Sequence, residues 1–141
     1  MLVRHVMDTD PPLVGAERSL RETIRLMLVE EIDYAIVVDS EGNPGGIITE
    51  SDILHAVYQA DPPPSEIRVV TVAHAPDFTV EPTLTVRKAV RRLTDREQTT
   101  APVMDGLELV GIVSLARIMD HPEITIQERG LDEQQGQWDA S

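Results

Sequence analysis

The chain has 141 residues and a net charge of −13, which disfavours nucleic-acid binding because phosphate backbones are repelled. Cysteine is absent, which excludes disulfides, thiolate metal sites and a cysteine nucleophile. Hydrophobic residues make up 41% of the chain and aromatic residues only 3%, so we expect a globular protein with an aliphatic core.

The first 60 residues predict one structural unit. A short extended lead-in over residues 3–7 precedes a helix that is capped by Ser19. Apolar residues recur along that helix at helical spacing: Leu20, Ile24, Met27 and Leu28. A β-rich run, Tyr34–Val38, a turn over residues 39–43 and a second strand that ends at Thr49 follow. A closing helix is predicted over residues 51–59.

A proline-rich linker over residues 61–66 separates this unit from a second one over residues 67–123. The second unit predicts the same order: a lead-in over residues 67–72, a helix capped by Thr85, two strands and a closing helix over residues 115–121. A polar tail, residues 124–141, contains Trp138. We expect the tail to fray and Trp138 to pack on the chain's own surface or on a neighbouring chain.

The two units are copies of one another. Residues 20–27 align with residues 86–93, and residues 36–39 with residues 102–105, at an offset of 66. Units of about 60 residues bury little apolar surface alone. We therefore expect them to pack together as one pseudo-symmetric domain.

These copies resemble the CBS domain, the cystathionine-β-synthase module, which occurs in tandem as a Bateman pair. Gly46-Ile47-Ile48-Thr49-Glu50-Ser51-Asp52 matches the family's Gly-φ-φ-Thr-x-x-Asp motif, where φ is apolar, and Pro102-Val103-Met104-Asp105 is similar to its Pro-Val-Val-Asp strand. The resemblance covers about residues 1–123. It implies an α/β (α+β) fold of two β-α-β-β-α repeats with pseudo-twofold symmetry and two clefts.

In the first cleft, Thr49 and Asp52 lie where a strand ends and a helix begins. A Thr49 hydroxyl can donate to a phosphate oxygen, and an ionised Asp52 can accept from both ribose hydroxyls. Gly46 would allow close approach of the ligand. The same pair is also an ordinary helix capping box, and the two roles can coexist.

The resemblance implies that adenine lies between aliphatic side chains. Ile36, Val37 and Ile48 are the candidates in the first repeat, with Tyr34 at the rim, and Thr100, Pro102 and Val113 are the weaker equivalents in the second. As bare residues these are also ordinary core positions.

The second cleft departs from the family pattern. Ser114 keeps the hydroxyl, but Arg117 stands where the ribose-binding aspartate belongs. A guanidinium cannot accept a hydrogen bond, so ribose recognition is not expected there. Arg117 is a candidate to bind an anion; sequence drift is the alternative.

The resemblance implies a regulatory module that binds AMP, ADP, ATP or S-adenosylmethionine and passes its state to a partner protein. The alternative is a ligand-free interaction or dimerisation module. No nucleophile–base set indicates an enzyme, and the four histidines lack metal-ligand spacing. We expect a homodimer, without an obligatory cofactor, a metal or a nucleic-acid partner.

Location and salt adaptation are also predicted. The longest apolar run is too short to span a membrane and the N-terminus lacks a signal-peptide core, so we expect a cytoplasmic protein.

Eleven of the 12 basic residues are arginine. Acid excess with few lysines indicates a halophilic protein, in which salt screens self-repulsion. A GC-rich genome is the alternative explanation.

Overall fold

A computed structural model describes residues 1–122 of the chain. The polar tail and Trp138 lie outside the described residues. The described residues divide into two compact units, one formed by Asp10–Asp77 and the other by Met1–Thr9 with residues 78–122. None of the helices within residues 1–122 combines the length and apolar character needed to cross a bilayer.

The unit Asp10–Asp77 has the predicted β-α-β-β-α order. Its elements are β1 (Leu13–Gly15), α1 (Leu20–Glu30), β2 (Tyr34–Val38), β3 (Pro44–Thr49) and α2 (Glu50–Gln59). Strand β2 lies in the centre of the sheet, parallel to β1 and antiparallel to β3. Single turns of 3₁₀ helix follow at Pro64–Glu66 and Val69–Thr71.

The other unit repeats this arrangement with a less complete sheet. Its elements are α3 (Val86–Asp95), β4 (Thr100–Asp105), β5 (Glu108–Ser114) and α4 (Leu115–Asp120). Strands β4 and β5 form an antiparallel pair, and a single parallel bridge from Val80 to Val103 stands where β1 pairs with β2 in the first repeat.

The two lead-ins differ from the prediction in conformation and in partner. Each contains a 3₁₀ turn, Val3–His5 or Val69–Thr71, rather than an extended segment. Each also packs with the other repeat: the Val3 N–H donates to the Leu84 carbonyl at 2.8 Å, and the Val69 N–H donates to the Arg18 carbonyl at 2.8 Å. Val3 and Val69 are fully buried there. The compact units are therefore not the sequence repeats, because the repeats exchange their lead-ins.

The apolar face of α1 also differs from the prediction. Leu20, Thr23 and Met27 are buried, whereas Leu28 is 73% exposed. Thr23 tolerates burial because its hydroxyl donates to the Ser19 carbonyl at 3.0 Å. The predicted caps are confirmed, since the Ser19 and Thr85 side chains accept backbone N–H groups of the first helical turns.

Candidate functional site

The Gly-φ-φ-Thr-x-x-Asp segment forms the junction between β3 and α2. Thr49 is the N-cap of α2, and its hydroxyl accepts the Asp52 N–H at 3.4 Å. The Asp52 Oδ2 atom accepts in return from the Thr49 N–H at 2.8 Å and from the Thr49 hydroxyl at 3.0 Å. The predicted capping box is thus formed, and in this arrangement the Thr49 hydroxyl proton points to Asp52 rather than to a phosphate.

A third donor reaches the same oxygen. The Nε2 atom of His74 lies 3.0 Å from Oδ2 of Asp52, with side-chain exposures of 35% for His74 and 22% for Asp52. All three contacts converge on Oδ2, so Oδ1 of Asp52 has no hydrogen-bond donor within residues 1–122. Sequence reasoning missed His74, which lies 22 positions along the chain from Asp52.

The backbone of His74 is fixed against β3. Its N–H donates to the Ile47 carbonyl at 3.0 Å, and its carbonyl accepts from the Ile47 N–H at 2.9 Å. A Cβ on Gly46 would lie 3.2 Å from the same His74 carbonyl. The close approach predicted at Gly46 is therefore made by the chain itself in this structure.

Asp52 also lines a cleft between α2 and the second lead-in. The cleft has a volume of about 420 Å³ and brings one carboxylate and one histidine together with small and apolar side chains: Asp52, His55, Ala56, Gln59, Ala60, Ile67, Thr71 and Val72. Within residues 1–122, no lysine or arginine lines it. Of the residues that the sequence predicted as ligand contacts, only Asp52 is part of this lining.

The second repeat forms an equivalent cleft of about 330 Å³ between α4 and the first lead-in. Its lining is His5, Val6, Met7, Arg117, Asp120, His121 and Pro122. Arg117 occupies the place of Asp52, and its N–H donates to the Ser114 hydroxyl at 3.2 Å, so Ser114 caps α4 as Thr49 caps α2. The aspartate of the first repeat and the arginine of the second thus line equivalent clefts.

The strand residues predicted to hold adenine divide between the two faces of each sheet. Val37 and Ile48 lie in the core of Asp10–Asp77, and Val113 lies in the core of the other unit. Ile36, Thr100 and Pro102 are buried on the opposite faces. Tyr34 shares the face of Ile36 and is fully buried, and its place at the rim of an adenine slot stays a prediction.

Comparisons with known proteins agree with this architecture. A family model of the CBS domain matches residues 3–59 and 69–124. The fold is similar to an uncharacterized conserved protein from Pyrococcus horikoshii, with a TM-score of 0.77 and 21% identity over 84% of this chain and 89% of that one. It is also similar to the CBS domain protein PAE2072 from Pyrobaculum aerophilum complexed with AMP, with a TM-score of 0.74 and 20% identity over 90% of this chain and 97% of that one.

A third solved structure is the CBS domain pair of protein MJ0100 in complex with 5′-methylthioadenosine and S-adenosyl-L-methionine, with a TM-score of 0.71 and 23% identity over 84% of this chain and 92% of that one. Among curated proteins, the choline transport ATP-binding protein OpuBA of Bacillus subtilis is 30% identical over 119 residues, which is 84% of this chain and 30% of that protein. The chain spans less than half the length of the curated relatives it matches.

Proposed function

The chain belongs to the CBS-domain family as a tandem pair, and we propose that it is a regulatory module without catalytic activity. It binds an adenosyl compound, AMP, ADP, ATP or S-adenosylmethionine, and passes the bound state to a partner protein. The observation that carries this proposal is the Asp52 carboxylate, which lines a cleft at the start of α2 and has one oxygen atom free of donors within residues 1–122.

An aspartate in this place suits a ribose. The two hydroxyls of a ribose are neighbouring donors, and a carboxylate offers two acceptor oxygens in a matching geometry. The ligands of PAE2072 and MJ0100 support an adenosyl class, since AMP, 5′-methylthioadenosine and S-adenosyl-L-methionine all contain an adenosine ribose.

The test is the affinity of Asp52→Ala for adenosine and AMP, measured by titration calorimetry in molar KCl. Charge-assisted hydrogen bonds contribute about 1.5–3 kcal/mol each, so we expect affinity to fall by at least about tenfold. Thr85→Ala is the matched control, because it also removes a helix cap, at a cost of about 1 kcal/mol in stability, but lies outside the cleft lining. Equal affinity in the parent and Asp52→Ala would contradict ribose recognition by Asp52.

The Arg117 cleft is proposed to take an anion without the same ribose contact. A guanidinium offers only donors, which suit phosphate oxygens rather than ribose hydroxyls. His5 supports this because its Nδ1 accepts the Leu2 N–H at 3.1 Å, which leaves Nε2–H as a donor. Two equivalent adenosine sites in the parent would contradict the assignment.

The second candidate function is an interaction module that dimerises without a ligand. It is favoured by apolar side chains exposed on α1 and α2: Leu28, Val29, Leu54, Val57 and Tyr58. A second copy of the chain could cover such a face, and we propose a homodimer under either function. Sedimentation of a 15.6 kDa species alone, over a wide concentration range in molar salt, would contradict the dimer.

A further inference from the structure

The His74 imidazole lies between two oxygen atoms that can only accept. Nε2 lies 3.0 Å from Oδ2 of Asp52, and Nδ1 lies 2.9 Å from the Ala75 carbonyl oxygen. A neutral imidazole carries one N–H and can satisfy only one of these contacts. The ring can therefore give up its contact with Asp52 and still donate to the Ala75 carbonyl oxygen.

This pairing conflicts with a ribose on the same carboxylate. Oδ2 of Asp52 already accepts from the Thr49 N–H, the Thr49 hydroxyl and His74, which is more than its two lone pairs accommodate well. A ribose diol that uses both carboxylate oxygens needs one of these donors to leave. The two Thr49 donors belong to the cap of α2, whereas the His74 side chain can rotate away while its backbone stays paired with Ile47.

We propose that His74 competes with the ligand's ribose for Asp52, so that adenosyl binding displaces the imidazole ring from the carboxylate. This inference rests on the proposed ribose contact of Asp52. It makes His74 a specificity-determining residue, because a ligand that lacks the diol has no means of displacing the ring.

The groups around His74 define the controls. Asp52, on α2, is the one side chain within residues 1–122 that pairs with the ring, and β3 holds the backbone of His74 through Ile47 and lies close to it at Gly46. His55, also on α2, lines the same cleft, but its Nδ1 lies 2.8 Å from the Ser51 carbonyl oxygen and it forms no pair with Asp52. His55 is thus a second histidine at the site that the proposal leaves without a role.

The experiment measures the affinities for adenosine and for 2′,3′-dideoxyadenosine by calorimetry at one pH and at constant high KCl concentration. Neither probe carries a phosphate, and only adenosine has the two ribose hydroxyls that the proposal brings to Asp52. Removal of the His74 ring should therefore change the affinity for adenosine and leave that for 2′,3′-dideoxyadenosine unchanged.

Two variants separate competition from other roles of the ring. His74→Ala should bind adenosine several-fold more tightly than the parent, because no ring then occupies Asp52. His74→Gln retains an N–H donor, so it should show less of this gain. His55→Ala should not show this gain, since His55 forms no contact with Asp52.

Equal adenosine affinity in the parent and His74→Ala would overturn this proposal and leave the ribose contact intact. Weaker adenosine binding by His74→Ala would also overturn it, because the ring would then contact the ligand. If the parent binds no adenosine, or Asp52→Ala binds it as well as the parent, the proposed function fails and this inference fails with it.

Discussion

A carboxylate has two oxygen atoms, and the fold uses only one of those of Asp52. Oδ2 completes the cap of α2, while Oδ1 receives no hydrogen bond within residues 1–122. Capping and the proposed ligand contact are therefore compatible roles of one side chain, and under the proposal made above only the contact with His74 competes with the ligand. A variant at Asp52 must accordingly be judged for stability and affinity separately.

Two aligned positions carry different polar side chains in the two repeats. Offsets of 66 and 65 place Asp8 at the position of His74 and Arg117 at the position of Asp52. The backbone agrees, since Asp8 exchanges hydrogen bonds with Ile112 as His74 does with Ile47. An arginine thus replaces the aspartate, and an aspartate replaces the histidine. Within residues 1–122 no ion pair joins Asp8 and Arg117, so the exchange alone does not decide between anion binding and drift at Arg117.

Asp39 provides a pH-dependent contribution to stability at the turn between β2 and β3. The backbone N–H groups of Asn43 and Glu41 each donate to its Oδ1 at 2.9 Å, and these hydrogen bonds, that of Asn43 foremost, hold the pKa of Asp39 below its ordinary value. A carboxyl group with a lowered pKa stabilises the fold above its unfolded-state pKa, about 3.9, and loses this contribution as the pH falls. Asp39→Asn should therefore be less stable than the parent at pH 7, with a difference that shrinks below about pH 4.

Urea unfolding at several pH values checks this prediction. The control is Asp105→Asn, at the equivalent turn of the second repeat, where no hydrogen bond to the carboxylate forms within residues 1–122. Both variants remove one negative charge, so the control removes the effect of overall charge. The same pH trend in both variants would contradict a specific role for the Asp39 hydrogen bonds.

At the scale of elements, local patterns predicted the helices and strands well. The closing helix expected from residue 51 begins at Glu50, and the strand expected over residues 34–38 is β2. Caps and apolar spacing depend on neighbours three or four positions away, so they are readable in one sequence. Leu28 shows the limit, because spacing alone does not tell which of two adjacent apolar residues faces the core.

The lead-in exchange and His74 depend on contacts far apart in sequence. Strand β1 has three residues, too few for a periodic pattern, and the hydrogen bond from Val3 to Leu84 joins residues that are 81 positions apart. No local signal marks such contacts. Alignment of the repeats pairs His74 with Asp8 and Asp52 with Arg117, so both positions change between the repeats, but this does not by itself place His74 beside Asp52.

The end of α1 carries an avoidable strain. Glu31 has φ 55° and Glu97, at the equivalent position after α3, has φ 55° as well, a left-handed conformation that suits glycine. A negative charge at a helix C-terminus is also unfavourable. Glu31→Gly should therefore stabilise the protein, by about 1 kcal/mol after the entropy cost of glycine in the unfolded chain.

Urea unfolding of Glu31→Gly and Glu30→Gly provides the comparison. Glu30 is the last residue of α1 and has no left-handed conformation. The same substitution there should leave stability unchanged or lower it by up to about 1 kcal/mol. Both variants remove one acid from the same helix end, so their difference isolates the backbone effect. A loss of stability in Glu31→Gly would contradict the argument.

At the scale of the whole molecule, the compact units define which fragments should fold. Residues 10–77 contain the core around Leu20 together with the fully buried Val69, whereas residues 1–60 lack Val69 and hold Val3 without its partner Leu84. We expect the fragment 10–77 to unfold cooperatively and to give a dispersed amide NMR spectrum. The fragment 1–60 should do neither, and cooperative unfolding of 1–60 would show that the lead-in contacts are dispensable.

The net charge of −13 predicts that the stability of the full chain rises with salt. Acidic side chains on a small surface repel one another, and the range of this repulsion falls from about 10 Å at 0.1 M salt to about 3 Å at 1 M. We expect the melting temperature to rise by several degrees between these KCl concentrations.

The double variant Glu50→Gln with Glu66→Gln removes two exposed acids that form no ion pair within residues 1–122, so the rise in its melting temperature should be smaller. A melting temperature that is flat from low to molar KCl would remove the halophilic interpretation and leave codon usage as the reason for the arginine excess.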